Sequence, residues 1–283
     1  ILAQELCRDS APAQPAMNAG DLGHNTVEVE LQRPEPIFLD HAAVLQRIES
    51  IGVVRQILFE ECTVQAEVAC CLYGLVRALR PKATLEVGLA LALSAVAICR
   101  AHLDLALGGG HVAIDPAQRR GRSEVVGLQR EGFSGQGLAN LRTAGVEAAF
   151  QDLREVESYR ALPELVAEGR RFGLIFVDGM HTFDYVLVDA FYADLLLEDG
   201  GLLILDDLWL PAVQAVMHFF VTNRRYCVQP LGGHWPEHLK LYAVLRKMGP
   251  DNRPWDHFVA FGGAGMPAAT ININGTNAFE VVD

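Results

Sequence analysis

Paired cysteines, clustered positive charge and long apolar runs are all missing from this chain of 283 residues. Its six cysteines, Cys7, Cys62, Cys70, Cys71, Cys99 and Cys227, form no CxxC pair. Several lie in apolar helical stretches, where a free thiol acts as a small hydrophobe, so reduced thiols in a cytoplasmic protein are expected. Acidic residues outnumber basic ones by 35 to 23, and the net charge is −12. The densest basic run is Arg119, Arg120, Arg122. That is too little positive charge for a polyanion, so no nucleic-acid partner is expected. Most of the acidity reads as solvated surface, and part of it could serve a cation. No apolar run reaches the roughly 18 residues of a membrane span and nothing resembles a cleavable leader, so no membrane partner is expected either. The sequon Asn274-Gly275-Thr276 is taken as chance.

What is present is the composition of a globular protein, 51% hydrophobic and 20% charged, long enough for one large α/β domain with additions. Residues 1–26, rich in Ala, Pro, Gln and Gly, read as a flexible segment. Residues 27–80 read as a helical region. From about Leu45 to Leu79 the periodicity is helical, with Val64, Val68, Cys71, Leu72, Leu75 and Leu79 giving one buried stripe, and Pro81 ends it.

Over residues 81–248 short β-rich runs alternate with helical stretches. Strands are expected at Ala83–Val87, His111–Ile114, Val146–Phe150, Phe172–Val177, Leu202–Leu205, Tyr226–Pro230 and Leu241–Leu245. Helices are expected at Ser94–Leu107, Gln136–Ala144, Ser158–Ala167, Tyr185–Leu197 and Pro211–Thr222, the last opening with proline where its missing N–H does no harm. Such alternation predicts a doubly wound, mainly parallel, seven-stranded sheet that binds ligands at the carboxyl ends of its strands. Only Leu231–Leu239 joins the last two strands, so they should pair antiparallel. The tail, 249–283, is rich in Gly, Pro and Asn and could wrap the domain or reach a partner. With the apolar first helix it makes a homodimer plausible.

The first strand runs into Glu86-Val87-Gly88-Leu89-Ala90-Leu91-Ala92-Leu93-Ser94. This resembles the E-x-G-x-x-x-G-x-S loop of class I S-adenosylmethionine-dependent methyltransferases. In those proteins a glycine lets the backbone approach the methionine part of the cofactor, next to the free N–H donors of a helix N-terminus. The resemblance implies that Glu86, Gly88 and Ser94 bind the cofactor. Ala92 departs from the pattern, standing where the family has its second glycine; it forbids easy positive φ and adds a methyl group. Gly88 has no glycine two or five residues later, which counts against an NAD-type dehydrogenase.

The second strand ends in Asp115, 29 residues after Glu86. An acid there can accept both ribose hydroxyls. The third strand is expected to end in Phe150-Gln151-Asp152, and the resemblance implies that Asp152 faces the adenine amino group. Any one of these acids could simply cap the next helix; three in succession at three strand ends favour a nucleotide.

The fourth strand delivers Asp178-Gly179-Met180-His181, and the fifth starts at Gly200-Gly201 and delivers Asp206-Asp207-Leu208-Trp209. Three carboxylates at one rim repel one another unless neutralised, and a hard divalent cation such as Mg²⁺ removes that cost. The separations from Asp178, 28 and 29 residues, resemble those of catechol-type O-methyltransferases, where an Asp closes the fourth strand and Asp-Asn the fifth. The run Asp178-Gly-Met-His181-Thr-Phe-Asp184, followed by a helix and Gly-Gly, looks more like the macrocin-type branch that modifies sugars and natural products. The similarity covers about residues 60–246.

It implies Asp178, Asp206 and Asp207 as metal ligands, Asp178 also beside the cofactor, and a small hydroxylated molecule as acceptor. His181, three residues beyond Asp178, stands where the catechol-type family carries a catalytic lysine, and its ordinary pKa of about 6.5 suits a general base. His181 could instead cap a helix or orient a metal, and Asp206-Asp207 could cap a turn and bind backbone amides. Asp184 and Asp189 read as a solvated helix face. His234, Trp235 and His238, with Trp209, could clamp a ring or sugar, or simply pack. Ala92 leaves open a chain that lost the cofactor and serves as a scaffold.

Overall fold

A computed structural model describes residues 34–58, 60, 63–119, 132–232 and 241–261. The segment 1–26, Cys7, Cys62, Arg120, Arg122, His234, Trp235, His238 and the sequon lie outside the described residues.

The chain order is β1 (Ile37–Phe38), α1 (His41–Glu49), α2 (Val54–Ile57), α3 (Ala66–Leu79), β2 (Ala83–Val87), α4 (Leu93–Asp104), β3 (Gly110–Ile114), α5 (Gln136–Thr143), β4 (Phe150–Arg154), α6 (Ser158–Ala167), β5 (Phe172–Val177), α7 (Phe183–Leu196), β6 (Leu197–Leu205), α8 (Pro211–Asn223), β7 (Tyr226–Val228), β8 (Leu231–Gly232) and β9 (Ala243–Lys247). Seven strands form one sheet in the order β4-β3-β2-β5-β6-β9-β7. All pairings are parallel except those of β9, which runs antiparallel to β6 and to β7. The doubly wound, mainly parallel sheet expected from the sequence is therefore present, with the last two strands antiparallel as expected.

Each central strand is apolar on both faces because helices cover both. Along β5 past the irregularity at Gly173, Leu174 and Phe176 join the core beneath α3 and α4, while Ile175 and Val177 join the core beneath α6, α7 and α8. This is the period-two alternation of a pleated strand. Gly200 and Gly201 make the β5–β6 contact possible. Gly200 has φ +80°, and a Cβ on Gly201 would stand 2.9 Å from the Gly173 carbonyl oxygen.

Three expectations need correction. The third strand is Phe150–Arg154 and not Val146–Phe150, because Glu147–Ala149 form a turn of 3₁₀ helix. The stretch from Leu45 to Leu79 carries three separate helices, His41–Glu49, Val54–Ile57 and Ala66–Leu79. The stripe is a core feature all the same: Val64, Val68, Cys71, Leu72 and Leu75 are buried. The region 27–80 also contains β1, which pairs parallel with β8 far along the chain; two residues carry too little pattern to be read. At the other end, the described start of the tail packs on α8, where Asn223 and Val259 exchange hydrogen bonds of 2.8 and 2.7 Å and Phe261 meets Phe219.

Candidate active site

The strand order reverses between β2 and β5: β2 leads outward to β3 on one side, and β5 to β6 on the other. Ligands of open α/β sheets bind in the crevice outside such a reversal. Register then sets which residues meet there. Val87 is level with Ile114 and Val177, and Val177 with Leu205. Gly88, Asp115, Asp178 and Asp206 therefore emerge side by side, and the backbone bonds confirm it: Asp178 N to Val87 O is 2.9 Å, Asp206 N to Val177 O 3.1 Å, Gly88 N to Ile114 O 2.9 Å.

On one side of the crevice is the loop from Gly88 to Ser94. Gly88 has φ +94°, and a Cβ there would lie 2.1 Å from the Asp178 carbonyl oxygen, so no side chain fits. Ala90 and Ala92 also adopt positive φ, +45° and +67°. The loop keeps the left-handed turn that a second glycine would give without strain. The Asp115 carboxylate fastens it, accepting from Leu89 N and Ala90 N at 3.2 and 2.8 Å, and from Ala117 N at 2.7 Å. Thr63, Val64, Gly88 to Ser94 and Asp178 bound a cleft of about 10 Å³, roughly the room of one water. A larger cavity, about 660 Å³, lies elsewhere, among Leu39, Val44, Tyr73, Arg77 and Asp104, at the far end of α4.

Two of the expected nucleotide acids are placed otherwise than expected. Glu86 is fully buried and faces α4, with Ser94 Oγ donating to it at 2.6 Å. It supports the loop from behind and does not line the cleft. Asp152 sits inside β4, bonded by Arg154 Nε at 2.6 Å. The residue that follows the end of β4 is Glu155, which accepts from Arg119 N at 3.0 Å and pairs with the Arg119 guanidinium. Sequence reading missed Glu155 because it placed this strand four residues too early.

On the other side, Asp178, His181 and Asp207 converge. His181 Nε2 stands 3.3 Å from Asp178 Oδ1 and 2.9 Å from Asp207 Oδ2. One ligand atom from each residue falls within 4.8 Å of the others. Asp207 reaches this position through a left-handed backbone, φ +52°, a strained conformation of the kind that gathers at functional sites. Trp209, 60% exposed, donates its indole N–H to Asp207 Oδ1 at 2.9 Å. Asp206, 8% exposed, is outside this cluster. Hydrogen bonds to Asp178 and Asp207 raise the pKa of His181 to about 10, so its positive charge offsets the crowded carboxylates. Burial, and the charges of Asp178 and Asp207, push Asp206 up; burial likewise pushes Asp178 up against the pull of His181. Asp184 is exposed as expected, but Asp189 is 1% exposed, turned inward beneath Gly179.

Residues 85–208 match the profile of a family described as a methyltransferase domain. This part of the chain is similar to a methyltransferase domain. The methyltransferase fold extends beyond it. The O-methyltransferase TomG from Streptomyces achromogenes, involved in tomaymycin synthesis and solved in complex with SAM, is 18% identical over 73% of this chain and 90% of its own, with a TM-score of 0.52. Cofactor-bound Rv0187 from MTB is 15% identical over 74% of this chain and 89% of its own, with a TM-score of 0.53. At these identities the likeness is one of fold. No curated protein matches the sequence. The stretch that matches the methyltransferase profile ends at Leu208, so it takes in the loop, Asp178, His181 and the Asp206-Asp207 pair. Among the described residues no helix is long and apolar enough to cross a membrane.

Proposed function

We propose that the chain is an S-adenosylmethionine-dependent O-methyltransferase that methylates a hydroxyl of a small molecule, with a divalent cation held by Asp178, His181 and Asp207. The observation that supports it is their convergence within 4.8 Å, next to a glycine-dependent loop at the sheet's reversal point. The donors present suit the cofactor's methionine end: the first-turn N–H groups of α4, including those of Leu93 and Ser94, have no carbonyl partner within the helix. Asp115 and, beyond it, Glu155 are the acids at the tips of β3 and β4 on the side where the nucleoside would lie. Two carboxylates and an imidazole suit Mn²⁺ or another transition ion as well as Mg²⁺, which prefers oxygen.

The cofactor supplies an electrophilic methyl group, and a divalent cation would lower the pKa of a neighbouring hydroxyl. The protein's own share is position, dryness and proton transfer. Asp178 lies at the seam between cofactor loop and acceptor side and holds the two together. The positive charge that His181 carries between Asp178 and Asp207 would be replaced by that of the cation, whose binding would release the histidine's proton. Trp209, fixed by Asp207, offers an exposed ring beside the rim.

A second reading takes no metal: His181, oriented by Asp207, is the base once it has lost its own proton, which its pKa of about 10 places in alkaline solution. Methyl transfer to a panel of catechols and sugars, followed with and without exhaustive chelation, separates the two. Loss of activity on chelation supports the cation; full activity afterwards removes it. Cofactor binding has its own measurement. S-adenosylhomocysteine at about 100 times its Kd should add about 2.7 kcal/mol of stability, and no thermal shift at millimolar ligand would leave a scaffold instead of an enzyme.

A further inference from the structure

Beneath α4 runs a line of buried polar side chains with no role in the site described so far. His102 Nε2 lies 3.1 Å from Thr84 Oγ1, and Thr84 Oγ1 lies 3.0 Å from His111 Nδ1. His111 Nε2 lies 3.2 Å from Glu86 Oε1, off the line of a good hydrogen bond, and Ser94 Oγ donates to Glu86 Oε2 at 2.6 Å. All five residues are at least 96% buried. The line connects the last turn of α4 to its first, where the cofactor loop ends.

The protons on this line can be placed. Burial pushes His102 down to about 4, so its ring is neutral at neutrality. His102 Nδ1 has no partner, and an orphaned buried N–H is rarer than an orphaned acceptor. The single proton therefore sits on Nε2, which donates to Thr84. The hydroxyl of Thr84 is then free to donate to His111 Nδ1, while His111 Nε2 and Glu86 Oε1 have no other partner among the described residues and stand 3.2 Å apart, at ion-pair distance. Glu86 thus has the Ser94 hydroxyl on one oxygen and the His111 ring nitrogen at ion-pair distance from the other.

We propose that His111 is a positioning residue that, through Glu86 and Ser94, holds a buried negative charge behind the cofactor loop, favouring the sulfonium cofactor over its neutral thioether product. This rests on the methyltransferase reading above. It gives Glu86 a task without contact: a fixed charge within reach of the cleft wall attracts the positively charged form and does little for the neutral one, which eases product release.

Calorimetry with S-adenosylmethionine and S-adenosylhomocysteine tests it. Glu86→Gln should weaken binding of the sulfonium about fivefold or more while the thioether changes less than about twofold. His111→Leu should do the same, and His111→Gln, which keeps an N–H donor, should retain most of the preference. Equal losses for both ligands, or no change in either, overturn the proposal, since a purely structural role does not discriminate charge. A wild-type chain that binds neither ligand removes the methyltransferase reading itself. Should the variants fail to fold, nitrogen NMR of the wild-type histidines still decides: a neutral His111 protonated on Nε2 supports the line, and a proton on Nδ1 or on both nitrogens overturns it.

Discussion

His181 Nε2 lies 2.9 Å from Asp207 Oδ2, across the gap between the tips of β5 and β6. Asp206, adjacent to Asp207 in sequence, is not part of this cluster. Metal binding should therefore depend unequally on the two. Asp207→Asn is expected to weaken Mn²⁺ or Mg²⁺ binding tenfold or more, on the order of 1.4 kcal/mol, and Asp206→Asn clearly less. Titration calorimetry showing the reverse order would put the cation elsewhere.

Ala92 holds φ +67°, where an L-residue with a Cβ is disfavoured by roughly 1 kcal/mol or more. Ala92→Gly removes that strain at some cost in unfolded-chain entropy. A net gain of about 0.5–1 kcal/mol is expected, read as a rise of one to a few degrees in Tm, together with tighter S-adenosylhomocysteine binding. A lower Tm would mean that the alanine methyl contributes packing that outweighs the strain.

Gly88→Ala should act in the opposite direction. Its Cβ would meet the Asp178 carbonyl oxygen at 2.1 Å, and both partners are backbone, so neither can swing aside. A loss of about 3 kcal/mol or more is expected, with the β2–β5 rim opened and ligand binding abolished. Urea unfolding that matches the wild type would show that this approach is looser than described.

His102 gives a pH dependence with a definite sign. Its folded-state pKa is lowered to about 4 by burial, from 6.5. Between those values the unfolded chain takes up a proton that the folded chain refuses. The contribution is complete above pH 6.5 and is lost as acid is added down to about pH 4, on the order of 3 kcal/mol. His102→Gln should flatten this part of the stability curve. An unchanged difference between urea midpoints at pH 7 and pH 4.5 would contradict it.

Asp189 carries the opposite sign. Burial raises it to about 6 from 3.8, against a hydrogen bond with Ser158. Its protonated form is favoured by the fold, so that stability is full below pH 3.8 and is lost as pH rises through 6. Asp189→Asn removes the buried charge and should stabilise the protein by about 2 kcal/mol at pH 8, with little gain near pH 4. Destabilisation at pH 8 would mean that the carboxylate has a partner whose loss outweighs the gain.

Much of the fold could be read along the chain because its signals are local. Apolar runs such as Phe172–Val177 and Ala83–Val87 are strands at the expected residues, since a strand buried on both faces needs nothing but continuous apolar side chains. The third strand was misplaced because Val146–Phe150 has equal β-character on paper, and the tight turn at Glu147–Ala149 depends on what the neighbouring strand accepts. Asp189 was misread for a related reason. A helix with apolar residues on nearly every side, such as Phe183–Leu196, does not show which face is covered.

The sequence by itself determined the alternation of strands and helices, the glycine at the first strand's exit, and the presence of acids near the ends of successive strands. Those features depend on backbone preference and burial, which act over a few residues. Tertiary structure alone decided that Glu86 turns away from the cleft toward His111, that Asp207 and not Asp206 meets His181, and that Asp115 holds the loop. Each of these depends on register between strands and on which donors arrive from distant elements, and no spacing along one chain specifies where two side chains will point.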